Sequence, residues 1–288
     1  MRTITREAPA KLNLTLDILR RRPDGYHDLR MVMQAISLSD TVTVTETAGE
    51  EITVRTDRED LPAGRDNIAW KAADVFFRAA GVPRHGLAIT LEKRIPDQAG
   101  MAGGSTDGAA VLKILRELYC PELPDAALEE MAAAVGSDVP FCVRGGTALA
   151  EGRGEILTTL PPLPDCWIAL CKPDFGLSTP ALFGRVRVEK LLRRPDHEAM
   201  ERALAAGDLR AVAGWMGNVF EEVLTPSEAE EICRIKGQLL SHGALNAVMT
   251  GSGPTVFGLF EKEAAACRAA EALKERYGQA FTAKPVLL

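Results

Sequence analysis

A glycine-rich loop between a predicted strand and a predicted helix is the feature that most restricts how this chain can fold. Residues 87–91 alternate in hydropathy as a strand does, and residues 109–118 place apolar side chains at helical spacing. Between them, residues 96–106 contain three glycines, two alanines and a Ser-Thr pair. Such a loop lets the backbone approach a ligand and leaves the first N–H groups of the helix unpaired, which favours a phosphate site.

Two better-known phosphate loops do not match this stretch. The Walker pattern places a lysine directly after the glycines, and no lysine stands there. The dinucleotide pattern G-x-G-x-x-G is also absent from the loop. For the loop taken alone, a turn whose glycines serve only close packing of a helix on a sheet is the simpler alternative.

Strict alternation over residues 10–19 predicts a strand near the N-terminus. One face of this strand is apolar, and the other consists of Lys11, Asn13, Thr15 and Asp17. Taken alone, the polar face is most simply explained by exposure to solvent. Residues 41–45 and 52–54 predict two further strands, which we expect to pair with each other across the turn at Gly49.

The proline cluster at residues 161–164 predicts a linker, because three prolines in four residues do not fit inside a helix or a central strand. It divides the chain into an N-terminal domain, residues 1–160, and a C-terminal domain, residues 161–288. The second domain shows the order β-α-β-β-α-β, with extra helices inserted after its first strand, one of them predicted over 208–224. The fold class is therefore α+β, with a mixed N-terminal domain and a ferredoxin-like, split βαβ C-terminal domain with inserted helices.

Charge and composition exclude several classes of function. The formal net charge of -6 argues against broad nucleic-acid binding, which depends on neutralising phosphates with lysine and arginine. The sequence has no apolar run of membrane-spanning length and no signal region at its start, so we expect no membrane partner. Six cysteines without Cys-x-x-Cys spacing indicate reduced thiols in a cytoplasmic protein rather than a zinc site.

Five polar or glycine-rich motifs occur along the chain, and each has an ordinary structural explanation when taken alone. They are Pro-Ala-Lys-Leu-Asn-Leu at 9–14, Arg-Arg-Pro-Asp-Gly-Tyr-His at 21–27, the glycine loop at 96–106, Gly-Ser-Asp-Val-Pro-Phe at 136–141 and Gly-Ser-Gly-Pro-Thr at 251–255. In this order, and spread over nearly the whole chain, they resemble the GHMP kinases, the family of galactokinase and of homoserine, mevalonate and phosphomevalonate kinases. The Asp-Gly-Tyr-His segment at 24–27 resembles in particular the members whose acceptor is a cytidine diphosphate-linked methylerythritol.

The resemblance implies an ATP-dependent small-molecule kinase that phosphorylates the 2-hydroxyl of this acceptor, in the non-mevalonate route to isoprenoid precursors. It implies Asp138 as the general base beside the acceptor hydroxyl and Lys11 as a stabilising cation beside the transferring phosphoryl group. ATP is expected as its Mg²⁺ complex, and we name no protein ligand because Mg²⁺ usually keeps several waters. The ATP phosphates are expected to bind along the loop, at Pro96, Asp97, Gln98, Ala99, Gly100, Met101, Ala102, Gly103, Gly104, Ser105 and Thr106.

The same resemblance assigns four residues to the acceptor substrate. Tyr26 would stack on the cytosine, His27 would offer polar atoms to its edge, and Phe183 would cover the opposite face. Asn13 would hold the polyol or the diphosphate. In the loop, Ala102 stands where the family more often has glycine, and we expect only a local change there provided that its φ is negative.

Two other functions compete with this interpretation. A homoserine-type or mevalonate-type kinase of the same family would explain the loop, but a small acceptor without a base has no use for the Tyr26-His27 pair. A non-catalytic nucleotide-binding protein would explain the loop as well, but it has no need of both Lys11 and Asp138.

Overall fold

The computed structural model describes residues 1–287, which form two compact units interleaved along the sequence. The first unit contains Met1–Ala10, Ser39–Ile95 and Ala102–Arg144, and the second contains Lys11–Leu38, Pro96–Met101 and the chain from Gly145 onward. The domain boundary at residues 160–161 stays a prediction. No helix within the described range is long and apolar enough to cross a membrane, and the cytoplasmic location likewise stays a prediction.

Strands and helices of the first unit follow one another closely in sequence. Two long strands, β1 (Thr3–Arg21) and β2 (His27–Thr47), begin the chain, and each contributes residues to both units. After them the first unit contains β3 (Ile52–Thr56), α1 (Ile68–Ala79), β4 (Gly86–Glu92), α2 (Gly103–Tyr119), α3 (Asp125–Val135) and α4 (Val139–Arg144). β4 pairs antiparallel with residues 41–47 of β2 and parallel with β3. The predicted hairpin of β2 with β3 is therefore wrong. Leu87, Ile89 and Leu91 of β4 are buried, and an apolar strand gains most from this central position.

Glycines in α2 allow this helix to pack closely on α1. A Cβ built on Gly108 would lie 2.8 Å from Cγ2 of Ile68, and one built on Gly104 would lie 3.1 Å from Cδ1 of the same residue. Asn67 caps α1, since its Oδ1 accepts the N–H of Ala69 at 2.9 Å. The packing explanation of the glycine loop therefore holds for these two helical glycines.

The second unit is organised by an antiparallel sheet in its C-terminal part. Its elements are β5 (Thr147–Gly152), β6 (Ile156–Thr159), β7 (Trp167–Lys172), α5 (Thr179–Arg185), α6 (His197–Ala205), α7 (Leu209–Trp215), β8 (Gly217–Asn218), α8 (Pro226–Ser241), β9 (Asn246–Met249), β10 (Val256–Phe260), α9 (Glu263–Tyr277) and β11 (Gln279–Ala283). Four of these strands form a sheet in the order β11-β7-β10-β9, with all neighbours antiparallel. Helix α8 packs on β9 and β10, and α9 packs on β7 and β11. The predicted split βαβ topology is confirmed, with α5 to α7 inserted between β7 and α8.

The long helix predicted over 208–224 is wrong. Helix α7 ends at Trp215, and the chain continues as β8, which pairs in parallel with β1 at Thr15 and Leu16. The side-chain oxygen of Asn218 accepts the N–H of Phe220 at 2.9 Å. This bond caps a short 3-10 helix, Val219–Val223, so helical turns resume only after β8.

Candidate active site

The polar face of β1 is buried, whereas its sequence alone suggested a solvated face. Lys11 is 4% exposed, Asn13 and Thr15 are fully buried, and Asp17 is 5% exposed. Arg194, from the inserted helical region of the same unit, donates to the Asp17 carboxylate at 2.6 Å. The expectation of solvent exposure is wrong because alternation in hydropathy identifies a polar face but not the distant segment that covers it.

His197 meets Thr15 on this face and is held uncharged. Thr15 Oγ1 accepts the N–H of Val32 at 3.0 Å, so its own proton is available to Nδ1 of His197, 3.0 Å away. The Thr15 hydroxyl can donate to Nδ1 or accept from it, and Nε2 is buried without a hydrogen-bond partner among residues 1–287. Burial, together with the positive charge of Arg30, lowers the pKa of His197 to about 4.

A hydrogen-bonded network joins Lys11 to two other motifs within the second unit. Lys11 Nζ donates to Oδ1 of Asn13 at 2.7 Å, and the Asn13 N–H donates to Oγ1 of Thr250 at 2.9 Å. The backbone N–H of Lys11 donates to the carbonyl of Met101, in the glycine loop, at 3.2 Å. Three motifs that lie far apart in the sequence therefore converge on one buried patch.

Two glycines bring the loop and the C-terminal glycine motif into backbone contact. A Cβ built on Gly100 would lie 2.3 Å from the carbonyl oxygen of Thr250, and one on Gly251 would lie 2.6 Å from the carbonyl oxygen of Gly100. Asn218 fixes the second motif, because its Nδ2 donates to the carbonyls of Met249 and Gly251 at 2.7 and 2.8 Å. Sequence reasoning missed Asn218, since a single asparagine after a glycine gives no signal of its own.

The loop backbone is unusual at two residues that are not glycine. Among the residues that the structure describes, only Gln98 and Ala102 combine a side chain with positive φ, +47° and +62° respectively. The expectation of only a local change at Ala102 was conditional on a negative φ, and this condition is not met. A left-handed residue with a Cβ costs roughly 1–2 kcal/mol. Ala102 is the N-cap residue of α2, and its methyl side chain cannot accept a hydrogen bond. The first N–H groups of the helix are therefore not capped by this side chain.

The two hydroxyl residues at the start of α2 differ in their surroundings. Thr106 is 1% exposed, and its hydroxyl donates to the carbonyl of Pro9 at 2.7 Å. Its oxygen can therefore accept a further hydrogen bond but has no proton left for a phosphate. Ser105 is half-buried and is the hydroxyl of this pair better suited to donate to an anion.

A buried cation between two carboxylates lies at the base of the same helix. Lys93 Nζ donates to the carboxylates of both Asp40 and Asp107. Burial acts to lower the pKa of Lys93, but the two carboxylates outweigh it and raise the pKa. Burial also raises the pKa of Asp107 to about 7, an effect that Lys93 opposes and Asp40 reinforces. Sequence reasoning missed both partners of Lys93, which lie 53 and 14 residues away along the chain.

The aromatic residues predicted to bind a base are arranged around Phe183. The His27 ring stacks on Phe183, with centroids 4.9 Å apart and planes inclined by 19°. Phe183 also meets the buried ring of Phe220 edge to face at 4.9 Å. Tyr26 is 58% exposed, and its ring contacts the guanidinium of Arg153. The structure therefore brings His27 and Phe183 together and gives Tyr26 a different neighbour.

Asp138 lies in the first unit, directly before α4. Its carbonyl accepts the N–H of Cys142 at 3.2 Å, which places the residue at the start of the helix and leaves its side chain half-buried. Gly136, which has an extended backbone, ends α3 two residues before Asp138. Its role as general base stays a prediction.

Comparison with known proteins agrees with this combination of fold and motifs. Models of the GHMP kinases match the chain, the N-terminal domain over residues 67–146 and the C-terminal domain over residues 197–279. The 4-diphosphocytidyl-2-C-methyl-D-erythritol kinase of Lachnoclostridium phytofermentans is 44% identical over 269 residues, 93% of this chain and 92% of that protein. A crystal structure of a 4-(cytidine 5'-diphospho)-2C-methyl-D-erythritol kinase superposes with a TM-score of 0.81 at 36% identity, covering 98% of this chain and 99% of that one. A homoserine kinase from Cytophaga hutchinsonii shares the fold, with a TM-score of 0.77 at 17% identity over 100% of this chain and 95% of its own.

The fold and the converging motifs define an ATP-dependent kinase of the GHMP class. Because its identity to relatives extends over more than nine-tenths of both chains, the protein belongs to the family of 4-diphosphocytidyl-2-C-methyl-D-erythritol kinases. The family and the fold class predicted from the sequence are thereby confirmed.

Proposed function

We propose that this protein transfers the γ-phosphoryl group of ATP to the 2-hydroxyl of 4-diphosphocytidyl-2-C-methyl-D-erythritol. The observation that carries the proposal is the buried network of Lys11, Asn13 and Thr250, on which the N-terminal motif, the glycine loop and the C-terminal motif converge. A cation and an amide held on a buried face suit an anionic, polyhydroxylated substrate. The identity to relatives named as kinases of this compound supports the choice of acceptor.

The chemical step exchanges one phosphorus–oxygen bond for another. The acceptor oxygen forms a bond to the γ-phosphorus, while the bond from that phosphorus to the β,γ-bridging oxygen breaks and ADP leaves with the electron pair. The hydroxyl proton passes to Asp138, which acts as general base. Since the transition state of phosphoryl transfer is loose, positioning and charge stabilisation contribute most of the acceleration.

Lys11 stabilises the charge that develops on the transferring phosphoryl oxygens. An ammonium group in a buried site interacts with charge more strongly than one in water. The Asn13 amide oxygen orients Nζ through its 2.7 Å hydrogen bond. Because that oxygen is used by Lys11, Asn13 contacts the polyol through its amide N–H groups, which lie 3.3 Å from Sδ of Met31 in this structure.

ATP binding is assigned to residues 96–106, with the N-terminus of α2 directed to the phosphates. Across residues 1–287, no cluster of three or more His, Cys, Asp or Glu side chains could hold a metal. An Mg²⁺ ion bound with ATP would therefore be held mainly by phosphate oxygens and water. The Ser105 hydroxyl is the protein atom best suited to be a further ligand. When bound, Mg²⁺ would neutralise part of the phosphate charge.

Recognition of the cytosine is assigned to Tyr26, His27 and Phe183. His27 already stacks on Phe183, so a base between Phe183 and Tyr26 displaces the imidazole to the edge of the base. Burial, together with Arg21, lowers the pKa of His27. A neutral imidazole can both donate and accept a hydrogen bond, which suits the edge of cytosine.

Steady-state kinetics with three acceptors test the proposal. We expect ADP release that depends on the cytidyl substrate and not on homoserine or mevalonate. Folded Asp138→Asn and Lys11→Met variants should each lose at least about 100-fold in kcat, whereas Lys71→Met, on the exposed surface of α1, should not. Equal rates with homoserine or mevalonate would overturn the acceptor, and near-normal turnover by Asp138→Asn would overturn its role as base.

A further inference from the structure

Lys113, on α2, is half-buried, and its ammonium group bonds to a backbone carbonyl instead of a carboxylate. Nζ donates to the carbonyl of Cys142, in α4, at 3.1 Å. Across residues 1–287 no carboxylate lies within ion-pair distance of Lys113, and Asp125, at the start of α3, pairs with Arg116. Burial lowers the pKa of Lys113. An apolar side chain at this position would serve the stability of the fold at least as well as this unneutralised charge.

The backbone of Cys142 connects Lys113 to Asp138. Its carbonyl accepts from Lys113, and its N–H donates to the carbonyl of Asp138, one helical turn earlier, at 3.2 Å. The last four carbonyls of a helix have no partner within it, and a lysine from another segment can bind one of them. Lys113 therefore holds the turn that begins at Asp138.

Other contacts hold the rest of α4 in place. Val139 is fully buried, and Phe141 is 1% exposed. Arg144 donates to both carboxylate oxygens of Glu129, on α3, at 2.9 and 2.6 Å. Because these contacts do not involve Lys113, loss of the lysine should loosen the turn at Asp138 and leave the fold intact.

Helix α2 carries both the bond to α4 and the expected phosphate site. It begins at Gly103, and Lys113 lies roughly 15 Å further along its axis at the helical rise per residue. Both helices belong to the first unit. The rigid body of α2 therefore relates its phosphate-binding end to the turn that carries Asp138.

We propose that Lys113 is a positioning residue that holds Asp138, through the backbone of Cys142, in the orientation that accepts the proton of the acceptor hydroxyl. The inference rests on the proposed function, in which Asp138 is the general base. Activity and stability should separate at this position, because methionine keeps the apolar stem but removes the desolvated charge and its bond to Cys142. A catalytic group that is misplaced slows the chemical step without weakening the binding of ATP.

Steady-state kinetics and urea unfolding of Lys113→Met test this separation. We expect kcat with the cytidyl substrate to fall about three- to tenfold while KM for ATP stays unchanged, and the urea midpoint should be unchanged or higher. Lys71→Met, on the exposed surface of α1, is the matched control and should keep kcat. If Lys113→Met folds poorly by circular dichroism, Lys113→Leu takes its place. Wild-type kcat in the folded variant, or a lower urea midpoint in both apolar variants, would overturn the proposal.

A double variant tests whether Lys113 acts through Asp138. In the Asp138→Asn background, Lys113→Met should have no further effect on kcat, whereas two losses that multiply would show that Lys113 acts elsewhere and would overturn the proposal.

Hydrogen exchange of residues 136–144, measured without substrates, tests the turn itself. Exchange should be faster in Lys113→Met than in the wild type, and unchanged exchange would also overturn the proposal. Because this measurement needs no turnover, failure of the wild type to phosphorylate the cytidyl substrate would count only against the proposed function.

Discussion

The guanidinium carbon of Arg153 lies 5.2 Å from the centre of the Tyr26 ring and covers one face of it. Arg153 stands in the turn between β5 and β6, where its backbone N–H donates to the carboxylate of Glu155 at 2.6 Å. A contact of this kind at an exposed site contributes about 0.5–1 kcal/mol. Arg153 thus contacts the ring from one side, and the proposed cytosine would stack on the other face.

Replacing Arg153 with alanine should raise KM for the cytidyl substrate about two- to fivefold, the loss expected of one exposed cation–π contact. KM for ATP should stay unchanged, because the contact concerns only the acceptor site. Arg268→Ala, on the exposed surface of α9, is the control. Parallel increases in both KM values would show that Arg153 acts on the whole fold and not on Tyr26.

Gly251→Ala should disable the site. The new Cβ would meet the Gly100 carbonyl at 2.6 Å, and φ at this position is +56°, so the two loops must separate. We expect a loss of about 1–3 kcal/mol in the free energy of unfolding and at least about a tenfold loss of kcat/KM. Gly237→Ala in α8, where a Cβ meets nothing within 4 Å, should be neutral or stabilising. Wild-type kinetics for Gly251→Ala would refute the close approach of the loops.

Ala102→Gly should be neutral or stabilising, although glycine normally destabilises a folded chain. The substitution removes about 1–2 kcal/mol of left-handed strain and costs about 0.5–1 kcal/mol of backbone entropy. Ala80→Gly is the matched control, because Ala80 ends α1 with φ of -77° and should lose stability. Urea unfolding of both variants gives the comparison, and an equal loss of stability in the two would contradict a left-handed Ala102.

Stability should fall as the pH drops from 6.5 towards 4, in part because of His197. Its pKa is about 4 in the folded protein against 6.5 for an ordinary histidine, so the unfolded chain takes up the proton first. The contribution of neutral His197 to the free energy of unfolding is complete above pH 6.5 and amounts to at most about 3 kcal/mol. Melting temperatures at pH 7.5, 6 and 5 should fall less steeply for His197→Asn than for the wild type or for His242→Asn. Identical slopes would exclude His197 as a source of the acid sensitivity.

Local signals in the sequence predicted much of the fold. Alternation predicted β1, and the order of strands and helices predicted the C-terminal topology. Which strands pair over longer distances was not predicted from the sequence. The turn at Gly49 suggested a hairpin of β2 with β3, but β4 lies between these two strands and pairs with both. The residues of a turn specify only the local change of direction, whereas the burial of Leu87, Ile89 and Leu91 favours β4 between the other two strands.

The candidate site shows the same division between local and distant information. By itself, the sequence determined the family, the position of the glycine loop and the side chains on the polar face of β1. Only the tertiary structure decided that this face is buried, that Ala102 is left-handed, and that Lys93 pairs with carboxylates 53 and 14 residues away. Residue type and spacing report contacts within one turn or strand, whereas burial and charge pairing depend on which distant segment covers each side chain.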